Sequence, residues 1–542
     1  VSYGYRVGEV VLPTIAPLKP GTIFGEFIEI TLRDRPVMRG SLGCHLIGAA
    51  RPVPDTNDPA NMKAGSAKRF CANPPKGCPI RLRRLRRFVR AWVRKNLVPL
   101  ARDSDISYRT WLAGTNYTVA RQKELIRKIE ANPDMKLRKN RCVKIFLKDE
   151  NYPEYKYPRG INARVDEFKC AVGPIFKLIE KELFKLDWFI KKIPVNERPA
   201  YILNKLGHAN RFMASDYSSF EALFTRELMM ACEYELYSYM VQDLPGGDEW
   251  LQLVREVIMG NNELHNKFFK ILIEATRMSG EMNTSLGNSF SNLMFTLFLA
   301  EENGCDNVEG VVEGDDGLFT MSGPFPTAKD YESLGLTIKI EEHDNLAKAA
   351  FCSLLFDVED MVNITDPIKV LQSFGWCQSN YAGSSLRRKK ELLRCKALSV
   401  IYQYNGAPVL MALAKYGLRA THGVRPRPGY QGTCAWEREL IAQVLKTKTE
   451  IKEVGMKSRL LVEEKFGLSV EHQLAIEAYL DSLNELQPLQ HHLITLHSTH
   501  DQEHYYHNYV RVVDLKSPLS REPTFGANSL AHRDVVITVA GK

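Results

Sequence analysis

The sequence predicts an α+β chain on three observations. Short β-like runs alternate with helical periods up to about residue 370, the pattern beyond is mainly helical, and neither part contains an internal repeat or low-complexity tract. The chain has 542 residues, 44% hydrophobic and 25% charged. That composition is ordinary for globular proteins and excludes disordered, collagen-like and fibrous classes; the length suits two to four compact units.

Charge is unevenly placed. Lys and Arg number 73 against 64 acids, a net +9. Residues 59–102 hold thirteen Lys or Arg and no acid, so the remainder of the chain is net negative. A local basic block is what a phosphate-facing surface requires. The eleven cysteines show no CxxC and no repeated spacing, which predicts reduced thiols rather than a disulfide or zinc framework. No apolar run reaches the length of a membrane span. The start at Val1 carries no signal-peptide pattern and is expected to mark a processed or trimmed product.

In chain order, residues 1–58 mix β-like runs at 10–12, 22–24 and 27–30 with Pro and Gly, and are expected to form a strand-containing extension. Residues 81–93 place apolar side chains at 82, 85, 88, 89, 92 and 93, a helical period whose other face is almost wholly guanidinium. A solvated face is the alternative; unbroken Arg without interleaved Glu favours nucleic acid or an anionic membrane. A second helix is expected over 116–131, an alternating half-buried strand over 141–150, and a helix over about 170–190. Beyond 370 helices are expected at 386–401, 407–417, 435–464 and 470–485, then a polar, irregular tail.

Three segments carry candidate chemistry. At 211–221 an apolar strand runs into Asp216, with Glu221 five residues on and Ser as helix N-cap candidate; a simple cap is the alternative reading. At 311–319 apolar runs flank Gly314-Asp315-Asp316-Gly317, also a hairpin signal, and Gly-Asp-Asp alone arises by chance in roughly one chain in ten of this length. At 278–292 a Ser279-Gly280 loop enters a small-polar helix start on which Thr284 and Asn288 share a face, offering a hydroxyl and an amide to a ribose or base edge. Carboxylates on adjacent strand ends repel unless a divalent cation lies between them. Mg²⁺ is commonly held by one or two carboxylates together with phosphates and water, and ion pairs serve in-line displacements.

Taken in order, these segments resemble the A, B and C motifs of viral RNA-dependent RNA polymerases, in the tombusvirus-like, nodavirus-like and flavivirus-like group of positive-strand RNA viruses. The match is Asp216 to Glu221, Ser279 through Thr284 to Asn288, and Gly314-Asp315-Asp316. Lys148-x-Glu150 with Lys156, Arg159 and Arg164 is similar to the F motif, 335–339 to the D motif, and Phe351-Cys352-Ser353 to the E motif. The resemblance implies a right-hand fold with an antiparallel palm sheet and an encircled active site. Residues 1–45 would be an N-terminal extension, 46–189 and 226–275 fingers, 190–225 and 276–370 palm, and 371–542 thumb and tail.

It also implies roles. Asp216, Asp315 and Asp316 would hold two Mg²⁺ ions, with Mn²⁺ as a substitute, and Lys339 would act as general acid. Lys148, Arg159, Glu221, Ser279, Gly280, Thr284 and Asn288 would bind the nucleotide. Arg83, Arg84, Arg86, Arg87, Lys156 and Arg164 would contact RNA. Glu221 stands where the family usually has Asp; one methylene longer, it keeps the charge but changes the reach of the Glu221–Asn288 pair that the resemblance assigns to sugar selection. Partners would be template and product RNA, NTPs and a membrane-anchoring replication protein, with oligomers open, on membrane-associated complexes in the host cytoplasm. Six of thirteen histidines fall within 491–507. His500, His504 and His507 would share a helical face as a metal site requires, but with no accompanying Cys or carboxylate pattern the tail is expected to be solvated or template-contacting instead. The resemblance also implies a channel plug for primer-independent initiation, with Tyr505, Tyr506 and Tyr509 stacked on a nucleotide. A non-catalytic RNA-binding scaffold and a reverse transcriptase are the alternatives.

Overall fold

The structure is a computed structural model, and it describes residues 17–25, 40–131, 140–378, 381–426, 442, 444–446 and 450–510. The β-like runs at 10–12 and 27–30, the start of the 435–464 helix and everything beyond 510 lie outside the described residues. The strands in chain order are β1 (Ile23–Phe24), β2 (Cys142–Leu147), β3 (Gly160–Arg164), β4 (Phe212–Tyr217), β5 (Asn261–His265), β6 (Lys270–Glu274), β7 (Asp306–Glu313), β8 (Asp316–Ser322), β9 (Ile338–His343), β10 (Leu355–Phe356) and β11 (Asn363–Ile364). They form a sheet β7-β8-β4-β9, a sheet β1-β6-β5-β2-β3 and the pair β10-β11. Pairings between these strands are antiparallel except β2 with β5.

Strands β4, β7 and β8 bury apolar residues on both faces, whereas β9 presents Lys339, Glu341 and His343 on one of them. Along β4, Met213 and Tyr217 point into the largest core, shared with Val312 and Phe319 and with the helix Thr284–Glu302. Phe212 and Ala214 alternate to the opposite face, with Val311, Leu318, Ile190 and Phe356. The period-2 rule then puts Asp216 on the Phe212 face, one step past the cover. Register does the same for its neighbours: Asp216 pairs with Lys339, and Glu313 with Asp316.

Most predicted helices are present with shifted ends, but the one expected over 435–464 is not continuous: residues 450–455 carry no helix, and Met456–Phe466 starts afresh after Gly455. Residues 116–131 become the helix Val119–Glu130, and the block near 170–190 becomes Asp166–Leu183. Pro79–Asn96 buries Leu85, Val89 and Val93 as its period requires. The helices Leu386–Tyr404, Leu410–Ala420, Met456–Phe466 and Val470–Ser482 carry a second core, which also takes in Leu42, Cys44 and Leu46 from the N-terminal segment. No disulfide links the described cysteines. Among the described residues no helix is long and apolar enough to cross a membrane.

The tail differs from expectation. It contains the helices His492–Leu496 and His500–Tyr509, and Tyr505, Tyr506 and Tyr509 are 1%, 0% and 5% exposed. They pack with Ala50, Val53 and Trp376, while Gln502 donates to Pro153 O at 3.1 Å. The tyrosines therefore cannot stack on a nucleotide. Their apolar rings stabilise the docked helix, and solvent sees its histidine side instead.

Candidate functional site

The site is built on the open ends of β4, β7 and β8. Glu313 and Asp316 are register partners, so Gly314 and Asp315 form a two-residue hairpin turn, with Gly314 at φ +64°. A left-handed first turn residue is what such hairpins require, and glycine adopts it without a Cβ penalty. The turn is anchored from behind by the helix Thr284–Glu302. Gly314 N–H donates to Ser289 Oγ at 2.9 Å, and the buried Asn292 Nδ2 donates to the carbonyls of Gly314 at 3.3 Å and Asp316 at 3.0 Å. Ser289 and Asn292 had no assigned role in the sequence; their only signal was the small-polar helix start.

The ladder between β4 and β8 runs to Ser215 opposite Gly317, so one further step brings Asp216 alongside Asp316. The carboxyls feel this crowding. Burial raises Asp315 to about 6, with the Glu221 and Asp216 charges adding to it. Burial raises Asp316 to about 7, helped by Asp315 and Asp216 and opposed by a hydrogen bond from Cys352. Asp216, at the exposed end of its strand, is raised by desolvation against the pull of Lys339. Cys352 comes from a tight turn in which it and Ser353 both adopt positive φ, 52° and 61°, between the bridged residues Phe351 and Leu354.

Cations face this acid group from another part of the chain. The Arg159 charge reaches Asp315, and those of Lys156 and Arg69 reach Asp216. Lys156 also lies over the Tyr152 ring at 5.3 Å, and burial beside Arg69 lowers its pKa. Lys148 and Arg159 flank Glu150 at 3.5 and 3.8 Å. Lys339 is exposed and paired with Glu341, whose hydrogen bond raises its pKa. Arg69 belonged only to the general basic block in sequence; nothing local marks it as facing Asp216.

The loop before the helix Thr284–Glu302 is tied to the same region. Ser279 Oγ donates to Gly160 O at 3.1 Å and accepts from Asn162 N–H at 3.2 Å. Gly280 N–H donates to Asn162 O at 3.0 Å, and any Cβ at 280 would press on that carbonyl, so glycine is required by close approach. Thr284 Oγ1 donates to Met278 O and Glu281 O at 2.8 and 3.1 Å, closing the loop onto the helix. Asn288 Oδ1 accepts from Arg277 Nε at 2.9 Å, and Arg277 also holds Glu233 at 2.6 Å. No hydrogen bond joins Glu221 to Asn288. The link between them runs through Arg277, whose backbone N–H donates to Glu221 O at 3.1 Å.

Two expectations for basic residues need correction. Arg164, a candidate RNA contact, is fully buried: its guanidinium pairs with Glu281 and donates to Asn262 Oδ1 at 2.7 Å and Asn140 O at 3.1 Å. A sealed, paired guanidinium cannot meet a phosphate. The helix Pro79–Asn96 is only partly free, because Arg84 meets Glu302 at 2.5 Å and Arg86 and Arg90 share Glu235 at 2.5 and 2.8 Å. The missing acids are supplied by distant helices. Arg83 and Arg87 remain exposed, with no ion-pair partner among the described residues. Ser219, at φ 52°, makes no cap hydrogen bond to its short helix.

The donor set of Asp216, Asp315 and Asp316 is all hard oxygen, and its mutual repulsion is relieved by a dication, so it fits Mg²⁺ or Mn²⁺. It is not a closed protein cage. Among the described residues, the one His, Cys or carboxylate trio whose ligand atoms lie within 4.8 Å of one another is Cys142, Glu263 and His265. An open carboxylate set is completed by water and phosphate oxygens.

No protein-family model matches the chain. It is similar to proteins named RNA-directed RNA polymerase. That of Striped jack nervous necrosis virus is 27% identical over 217 residues, 36% of this chain and 21% of the relative. That of Panicum mosaic virus is 24% identical over 362 residues, 60% of this chain and 34% of the relative. The chain thus spans between a fifth and about a third of the length of these relatives.

Proposed function

We propose that this chain is the catalytic core of an RNA-directed RNA polymerase, joining ribonucleoside monophosphates from NTPs to an RNA 3′ end. The observation that carries it is the convergence of Asp216, Asp315 and Asp316 on adjacent strand ends, facing Arg159, Lys156 and Arg69. The names of the similar viral proteins support the same reading.

In this reading β4, β7, β8 and β9 are the palm, the β1-β6-β5-β2-β3 sheet belongs to the fingers, and the helices after 370 are the thumb. Asp216 and Asp315 would hold two magnesium ions, with Asp316 assisting. When bound, magnesium neutralises phosphate charge and makes the attacking hydroxyl more acidic. Arg159 and Lys148 orient the triphosphate by charge-assisted hydrogen bonds, which fixes the in-line geometry on which such transfers depend. Lys339 Nζ donates a proton to the departing pyrophosphate. Ser289 and Asn292 hold the Asp315 turn rigid. Template and product RNA follow the basic surfaces, and a membrane-anchoring replication protein would localise the complex.

The test is incorporation of labelled nucleotide on a homopolymer template, with and without Mg²⁺ and primer. Metal-dependent ribonucleotide incorporation is expected, with Asp315→Asn abolishing synthesis while RNA retention on filters persists. Synthesis surviving that substitution would overturn the assignment.

A further inference from the structure

We infer that Cys142, Glu263 and His265 form a binding site for a zinc-class transition-metal ion on the sheet β1-β6-β5-β2-β3, separate from the acids at the β7–β8 turn and independent of the polymerase reading. The parallel register sets Cys142 against Glu263 and Lys144 against His265, so strand alternation turns all three ligand residues to one face. Their ligand atoms all lie within 4.8 Å of one another.

The Glu263–His265 spacing is that of two ligands rather than of a hydrogen bond. His265 Nε2 stands 3.6 Å from Glu263 Oε2, beyond hydrogen-bond reach. Two donors on a tetrahedral zinc at about 2.05 Å are separated by about 3.3 Å, so the pair is already nearly in place. His265 Nε2 is also shut off from solvent and has no hydrogen-bond partner. Drawing Cys142 Sγ in requires a side-chain adjustment of about an ångström, judged against tetrahedral zinc geometry.

The chemistry selects the ion class. One thiolate and one carboxylate balance a dication, and sulfur with imidazole discriminates against magnesium in favour of zinc or cobalt. The Cys142 thiol gives up its proton to solvent as the metal–sulfur bond forms. Three protein ligands leave a fourth position for water. A cleft of about 1150 Å³ provides the entry path, lined by Cys142, His265, Asn266 and Lys267. Parallel pairing is the weaker kind, and β2–β5 has three register pairs, Cys142–Glu263, Val143–Leu264 and Lys144–His265. An ion bridging it would staple β5 to the strand that leads into Lys148.

The experiment is a cobalt(II) titration of the full chain after chelator dialysis, followed by absorption. One cobalt per chain with a thiolate-to-cobalt charge-transfer band in the near ultraviolet is expected. Cys142→Ser should abolish the band, His265→Ala should weaken binding by more than the about 10–100-fold that loss of an outer partner costs, and Asp315→Asn should leave the band intact. Zinc should also shield the Cys142-containing peptide of the unsubstituted protein from alkylation, a readout that needs no variant to fold. No thiolate band in the unsubstituted protein, a band that persists in Cys142→Ser, or alkylation unaffected by zinc would overturn the site.

Discussion

Arg277→Met is the most informative single perturbation of the framework behind the candidate site. Arg277 and Glu233 have no exposed side-chain surface and pair at 2.6 Å. Arg277 also donates to Asn288 Oδ1 and lies over the Phe224 ring at 4.3 Å. A methyl at Gly287 would overlap both the carboxylate and the guanidinium, so the helix Thr284–Glu302 rests directly on the pair and water has no room to replace a lost partner. Methionine fills much of the volume but leaves a buried carboxylate with only the Tyr237 hydroxyl, at 3.0 Å. Losing one partner of a buried pair costs about 3–5 kcal/mol.

The variant should therefore unfold in urea with a deficit of about 3–5 kcal/mol at pH 7. The double variant Glu233→Gln/Arg277→Met, which removes the stranded charge, should recover part of that loss. A neutral-pH deficit below about 1 kcal/mol, or a double variant no more stable than Arg277→Met, would refute the claim that this pair is sealed.

Asn292→Ala should lower turnover about 10- to 100-fold with little change in nucleotide affinity, since it loosens the Asp315 turn without touching substrate; equal losses in kcat and affinity would contradict that positioning role. Asp315 and Asp316 titrate above their usual range, so in metal-free protein the stability they contribute is complete below about pH 3.8 and is lost as pH rises through about 6–7. Mg²⁺ should accordingly bind more tightly at pH 8 than at pH 6 and release protons near pH 6, as calorimetry in buffers of different ionisation enthalpy reports; no proton release would count against the crowded carboxyls. Replacing Arg83 and Arg87 together should flatten the salt dependence of single-stranded RNA binding by about 0.7 in log–log slope for each phosphate that they neutralise. Arg86→Ala should instead cost about 1 kcal/mol of stability, because Arg90 still holds Glu235.

Local and periodic features were legible in the residues alone. The alternation at 141–150 predicted β2, the apolar spacing at 82–93 predicted the buried stripe of Pro79–Asn96, and Gly314-Asp315-Asp316 predicted a hairpin with acids at its tip. Each depends on residues a few positions apart, which is the range over which φ/ψ preference and side-chain period act. The order of the three acid and glycine segments added the resemblance to viral polymerases.

Which polar groups remain available was settled by long-range packing. Arg164 sits in a basic run like its neighbours, yet it is consumed by Glu281, 117 residues away. Arg84 and Arg86 lack acids nearby in sequence but find Glu302 and Glu235 across helix contacts. Tyr505 and Tyr506 look like solvent-facing aromatics in a polar tail and are core residues against Val53 and Trp376. Arg69 facing Asp216, Ser289 and Asn292 gripping the turn, and Cys142 meeting His265 have no local signature. Burying a charge or an amide demands a partner, and the chain meets that demand wherever packing brings one, without regard to separation along the sequence.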